Sequence, residues 1–189
     1  MPHYKKLLGT RCYLSLCGPE DAALWAQWDN DLGVTIPLGD EAYVPAGLDV
    51  AYESITTIVK QRQHIFSILD LATDAVIGRA LFFDIDHVNQ GAMVGLVIGD
   101  RAYWGKGYGF EAMQLLLDYG FNLLNLHNIM LGVFTFNQRA LRLYQKLGFR
   151  EIGWRRQARL IAGQRYDVIF MDLLATEFVS PYVQRLLAE

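Results

Sequence analysis

The chain has 189 residues, 52% of them hydrophobic and 20% charged, with a mean hydropathy of +0.15. That is enough apolar material for one packed core and it excludes dominant disorder. With 17 Lys and Arg against 20 Asp and Glu, the net charge is −3, so the basic footprint of a duplex nucleic-acid binder is missing and a neutral or cationic partner fits better.

The two cysteines, Cys12 and Cys17, have neither the CxxC spacing of redox motifs nor the pattern of a zinc cluster, and they read as reduced structural thiols. The opening residues lack a hydrophobic signal core and no apolar run reaches the length of a membrane span. A soluble, cytoplasmic protein with no membrane partner is expected. No repeat or low-complexity linker interrupts the sequence, which predicts a single domain over residues 1–189.

In chain order, residues 11–16 alternate as a strand, and Pro19 with Glu20 and Asp21 opens a helix running to Trp28. Residues 30–45 carry Gly33, Pro37, Gly39 and Pro45 and read as a loop. Residues 48–61 form a second helix with Ile55, Ile58 and Val59 on one face. Strands follow at 65–70 and 76–83 around a turn at Thr73-Asp74, and at 92–98 after a loop at Asn89-Gln90-Gly91. A helix over 107–124 places Met113, Leu116, Leu117, Phe121 and Leu124 on one stripe. A strand at 129–134, a helix over 137–147 stopped by Gly148, and an antiparallel pair at 150–160 and 165–174 around Ala162-Gly163 complete the chain. The order predicts a mixed α+β architecture with helices on both faces of one sheet.

The most informative stretch is Ile98-Gly-Asp-Arg-Ala-Tyr-Trp-Gly-Lys-Gly-Tyr-Gly-Phe-Glu-Ala112. A strand ends, three glycines alternate, and a long helix begins, so successive backbone N–H groups face outward at a helix N-terminus that favours phosphate. The P-loop pattern GxxxxGK[ST] is absent. GxGxx[GA] does occur at Gly107, Gly109 and Ala112, but the acidic ribose ligand expected about twenty residues later is replaced by His127-Asn-Ile-Met-Leu-Gly132. A phosphate cradle of another type is the better reading.

A second constellation runs from Asn137 to Phe149. Asn137 is a good N-cap, and Ala140, Leu141 and Tyr144 follow at helical spacing on its face. Two turns, about 10 Å, separate Asn137 from Tyr144, so one extended ligand could meet both.

Together these residues resemble the GCN5-related N-acetyltransferase (GNAT) superfamily. Its pyrophosphate motif [QR]xxGx[GA] aligns with Trp104-Gly-Lys-Gly107-Tyr-Gly109. Trp104 departs from Gln/Arg, as in the branch of ribosomal-protein alanine acetyltransferases and spermidine acetyltransferases. Asp21-Ala22, Trp28-x-Asn30-Asp31, Leu117-Asp-Tyr-Gly-Phe121, Leu126-His127 and Asn137xxAlaxxxTyrxxxGlyPhe extend the match across residues 11–174. The resemblance implies a GNAT fold, with a mostly antiparallel central sheet and a splayed acetyl-CoA-binding strand. Acetyl-CoA would be the cosubstrate, no metal would be needed, and a homodimer is the assembly to test.

Carried over, Trp104, Gly105, Lys106, Gly107, Tyr108, Gly109 and Phe110 would wrap the pyrophosphate. Val97, Ile98 and Gly99 would bond the pantetheine and polarise the thioester carbonyl. Asn137, with Arg139 and Ala140 beside it, would hold the pantetheine arm. Tyr144 would protonate the departing thiolate, a phenol near 10 serving a thiol near 8.5. For the base, Glu111, His87, His127 and a water chain stay open. In the spermidine branch an acid in the Asp84 region contacts the polyamine, so Asp84 and Asp86 are the candidate substrate contacts, with a polar strand cap as the alternative.

The function implied is direct acetyl transfer to a primary amine, with a protein N-terminus as leading acceptor and a polyamine or other small amine as runner-up. From another class, a non-catalytic CoA-binding sensor remains open, although retention of Tyr144 favours an enzyme. The acceptor is expected at the segments 29–43, 84–90 and 157–166, where connecting loops set specificity.

Overall fold

The computed structural model describes residues 3–186. The chain forms two compact units. One takes in the chain up to Phe82 together with Gly95–Leu116, and the other takes in Phe83–Val94 and the chain from Leu117 onward.

In the first unit, β1 (Leu7–Leu8), β2 (Cys12–Leu16), β3 (Ile65–Asp70) and β4 (Val76–Asp86, whose last residues belong to the second unit) pair antiparallel in succession. Leu14 lies opposite Leu7 and Ile68, and Ile68 lies opposite Gly78. The segment between β2 and β3 packs a core of its own. α1 (Ala22–Asp29) contributes Trp25 and Trp28, and α3 (Leu48–Lys60) contributes Ala51, Ile55 and Ile58, spaced four and three apart as one helical stripe requires. Val97 and partly buried Val59 and Trp104 join them.

Three details differ from the pattern expected from sequence. The first strand starts at Cys12 and is preceded by two-residue β1, too short to give a periodic signal. Residues Pro19–Asp21 form a 3-10 turn before α1, with Pro19 at the first position. Residues 30–45 hold a short helix, α2 (Leu32–Thr35), and a second 3-10 turn at Asp40–Tyr43. The side chain of Asp31 accepts from the Gly33 amide and so starts α2 where glycine and proline content alone suggested a loop.

In the second unit, β6 (Asn128–Phe134) pairs antiparallel with β8 (Gln164–Leu174), which pairs antiparallel with β7 (Arg150–Ile161). The β7–β8 turn at Ala162-Gly163 has positive φ at both residues, +49° and +78°, as a tight hairpin matching the strand twist demands. α5 (Gln138–Leu147) lies between β6 and β7 and stops at Gly148 with φ +99°. A buried carboxylate anchors the chain beyond β8. Asp118 accepts from the Ser180 hydroxyl at 2.6 Å and from the Val183 amide at 3.0 Å, where α6 (Val183–Leu186) begins.

β5 (Gly91–Ile98) and β6 run parallel, but their ladder covers only Gly91–Met93, three of the eight residues of β5. In neighbour order the eight strands read β1-β2-β3-β4-β5-β6-β8-β7, a mixed open sheet in an α+β fold. α4 (Tyr108–Asn122) follows β5, with Met113, Leu116, Leu117 and Phe121 buried.

Candidate active site

The end of β5 is held by close packing. A side chain at Gly99 would collide with the indole of Trp28, and one at Gly78 would strike the Val97 carbonyl. The Gly99 N–H donates to the Ile77 carbonyl at 2.9 Å, so that amide is engaged within the sheet. The Ile98 carbonyl accepts instead from the Trp104 indole N–H at 2.7 Å. Residues alternate along a strand, so the N–H of Ile98 points to the same edge as its carbonyl, away from Ile77. Of the segment 97–99, Ile98 is the residue whose amide faces that edge. The indole of Trp104, which stands where the resemblance expects Gln or Arg, ties the glycine loop to the strand.

From Trp104 the chain turns sharply. Gly105 and Gly107 take φ of +73° and +89°, in the left-handed region where a side chain is strained. Gly105, Lys106 and Gly107 are exposed, and space around Gly105 is open to 4 Å. The Glu111 amide donates to the Gly107 carbonyl, the first bond of the α4 ladder, so the N–H groups of Tyr108, Gly109 and Phe110 precede it. Positive dipole, backbone donors and glycine flanks coincide here, as a phosphate cradle needs. The hydroxyl of Tyr108 donates to Asp70 at 2.7 Å. That bond, with burial, pushes its phenol up to about 12.

Glu111 occupies the first turn of α4, is buried, and works as a strap. One oxygen accepts from the Thr10 amide at 2.8 Å and its hydroxyl at 2.5 Å; the other accepts from the amides of Arg11 at 2.7 Å and Cys12 at 2.9 Å. Burial works to raise this carboxyl, but the Thr10, Arg11 and Cys12 donors together hold it below its ordinary range. A carboxylate so engaged is not a general base, which removes Glu111 from the candidates. The strap brings the exposed side chain of Arg11 to the glycine loop. A Cβ at Gly107 would lie 3.6 Å from its Nε. Sequence reading missed Arg11, because the contacts that place it span about a hundred residues.

In the second unit, α5 presents Asn137, Arg139, Ala140 and Tyr144. The Asn137 side-chain oxygen caps the helix by accepting from the Ala140 amide at 3.1 Å. Arg139 is exposed and Ala140 half-buried. Tyr144 is 9% exposed and packs edge-on against Phe149, with ring centroids 5.8 Å apart. Burial pushes its phenol up to about 12, which moves it away from the thiol range rather than toward it.

The acids expected near an acceptor are mostly engaged. Asp29 forms a bidentate pair with Arg79 at 2.7 and 3.1 Å, and Arg79 also stacks over Trp25. Asp31 caps α2 and pairs with Arg101. In the second unit, Asp86 accepts from the Val88 and Asn89 amides and the Asn89 side chain, closing the turn after β4. Asp84 is exposed with φ +50°. His87 and His127 are exposed in the same unit. Cys12 and Cys17 are both buried free thiols, raised by burial first and then by neighbouring carboxylates. No helix among the described residues is long and apolar enough to cross a membrane.

Residues 11–150 match the family model described as an acetyltransferase (GNAT) domain. The chain belongs to the GNAT family. It is 40% identical over 61% of its length to an uncharacterized N-acetyltransferase, p20, of Bacillus licheniformis, covering 64% of that protein. It is 33% identical over 52% of its length to the spermidine N(1)-acetyltransferase of Escherichia coli K12, covering 53%. The chain therefore spans between about half and two thirds of these relatives. A crystal structure of spermidine N-acetyltransferase from Vibrio cholerae, in complex with CoA and spermine, superposes with a TM-score of 0.81 at 25% identity, over 89% of this GNAT chain and 98% of that one. Its open mixed sheet is thus that of its GNAT neighbours.

Proposed function

We propose that the protein transfers an acetyl group from acetyl-CoA to a primary amine by direct attack. The observation that carries this reading is the left-handed turn at Gly105 and Gly107 opening onto the amides of α4. Family membership supports the same chemistry. Acetyl-CoA would supply an activated acetyl thioester.

The chain's own residues divide the work. The loop 104–110 binds diphosphate oxygens through backbone donors. The Ile98 amide, on the strand edge facing away from Ile77, donates to the thioester carbonyl and stabilises the charge that develops there. The Asn137 side chain orients the pantetheine arm. With its phenol near 12, Tyr144 keeps its proton and serves the departing sulfur as a hydrogen-bond donor. Full proton delivery to a thiolate of ordinary pKa near 8.5 would run uphill by several units. Of the candidate bases the buried carboxylate of Glu111 is held by its own chain, so the proton of the attacking amine goes to solvent or to an exposed histidine, His87 or His127.

For the acceptor, a single amine of the protein N-terminal kind fits the structure best. Its α-amino group, with a pKa near 8, is easier to neutralise than an alkyl amine near 10.4. Two acids of the 29–43 segment, Asp29 and Asp31, are already paired with Arg79 and Arg101, and Asp86 is committed to its own turn, which leaves fewer carboxylates for a polycation. A polyamine is the second reading, supported by the spermidine acetyltransferases among the relatives. Thiol release from acetyl-CoA, measured across N-terminal peptides, spermidine and amino sugars, tests both. Release with peptides at the highest kcat/KM supports the first, and a large preference for spermidine replaces it with the second. Binding of acetyl-CoA without release on any amine would instead make the protein a CoA sensor.

A further inference from the structure

The glycine loop supplies backbone dipoles, yet a CoA diphosphate carries full charges. Besides Lys106 within the loop, the fold brings Arg11 to the flank where those charges would lie. Arg11 is exposed, and its Nε, Cδ and Cζ stand 3.6, 3.8 and 4.0 Å from the position of a Cβ at Gly107. No carboxylate among the described residues forms an ion pair with it.

Its placement is over-determined. The Arg11 amide is held by Glu111, as are those of Thr10 and Cys12 on either side. Its carbonyl accepts from the Leu71 amide at 2.8 Å. Those contacts use only the backbone of Arg11, which leaves the side chain to lie across the loop. Glu111, in the first turn of α4, thus also holds the backbone from which this guanidinium reaches the flank of that turn. Arginine suits the position, since its planar fork pairs with two phosphate oxygens at once.

The geometry points to Arg11 as a side-chain ligand of the CoA diphosphate, positioned through its backbone by Glu111. The inference rests on the acetyl-CoA reading above. The diphosphate is favoured over the 3′-phosphate because Arg11 lies against Gly107, at the start of the helix amides, where the diphosphate binds in that reading.

Calorimetry of Arg11→Gln and Arg11→Lys with CoA and with dephospho-CoA, which lacks the 3′-phosphate, tests it. The expected result is a loss of about tenfold in affinity for both ligands in Arg11→Gln, the scale of one charge-assisted hydrogen bond. Arg11→Lys should lose less, and the wild-type affinity should fall more steeply with salt than that of Arg11→Gln. The side chain is exposed and its backbone bonds survive substitution, so the melting temperature should not move. Unchanged affinity for CoA in Arg11→Gln overturns the inference and leaves the acetyl-CoA reading standing. A loss with CoA but not with dephospho-CoA also overturns it, by moving the contact to the 3′-phosphate. Failure of the wild-type protein to bind either ligand would end both readings together.

Discussion

The glycine loop and the acidic segments show two ways of using charge. Around the loop, Glu111 is turned onto the backbone of Thr10–Cys12, while Gly105, Lys106, Gly107 and Arg11 stay exposed. Along the acidic segments the order is reversed. Asp29, Asp31 and Asp86 commit their oxygens to Arg79, Arg101 and local amides, and little charge is left for a ligand. A carboxylate in a loop is therefore a poor guide to substrate charge until its partners are known. Glycines with positive φ at a helix N-terminus are a better guide to phosphate, because they keep side chains clear of the helix's backbone donors.

The harshest test of this contrast is Gly107→Glu. It places a side chain in strained backbone and a carboxylate among phosphate oxygens, so CoA affinity should fall at least about a hundredfold. Calorimetry on the folded variant reads it, and retained affinity would mean the loop is only a turn. Tyr144→Phe probes α5 instead. Loss of one hydrogen bond to a charged sulfur should slow acetyl transfer about ten- to a hundredfold with CoA affinity unchanged. Single-turnover rates are the proper measure, since slow product release hides such an effect. A rate equal to wild type would remove Tyr144 from the reaction.

The loop, α4 and α5 were legible in the sequence because each rests on local rules: glycine spacing, an apolar stripe, an N-cap and an αL stop at Gly148. α2 was not, because its start depends on the Asp31 cap inside a stretch rich in glycine and proline. The strap was not either. Nothing near Glu111 in sequence signals that its partners are Thr10, Arg11 and Cys12. The same holds for Asp29, whose partner Arg79 is fifty residues away on β4. Spacing revealed which groups were present, and long-range pairing decided which of them a ligand could use.

The strap makes a prediction about pH. The folded Glu111 carboxyl titrates below its ordinary range, so the unfolded chain binds more protons as the pH falls through about 4.5. The stability it contributes is complete above that point and is lost as pH falls through the folded value. Glu111→Gln keeps one acceptor oxygen but turns an NH2 group toward N–H donors. It should cost about 2 kcal/mol at neutral pH. The gap from wild type should shrink in acid, where the wild-type carboxyl is itself protonated. Urea unfolding from pH 3 to 7 reads both, and a gap that does not change with pH would mean that Glu111 acts only through packing.

The smallest effects are expected at the acids in the last residues of β4, where the contrast between the two regions is sharpest. Asp86 is held below its ordinary range first by the Asn89 amide and then by the Asn89 side chain, so its charge serves the turn. Asp84 is exposed, and an exposed carboxylate gains less than about 1 kcal/mol from a cation that meets it in water. Asp84→Asn should therefore change kcat/KM for an N-terminal peptide by less than about threefold. The same variant assayed with spermidine separates the two acceptors. A polyamine that Asp84 contacts would lose more, up to about fivefold, with that one carboxylate gone. An unselective small loss on both substrates would agree with a site that recognises one amine and leaves its loop acids to hold the chain.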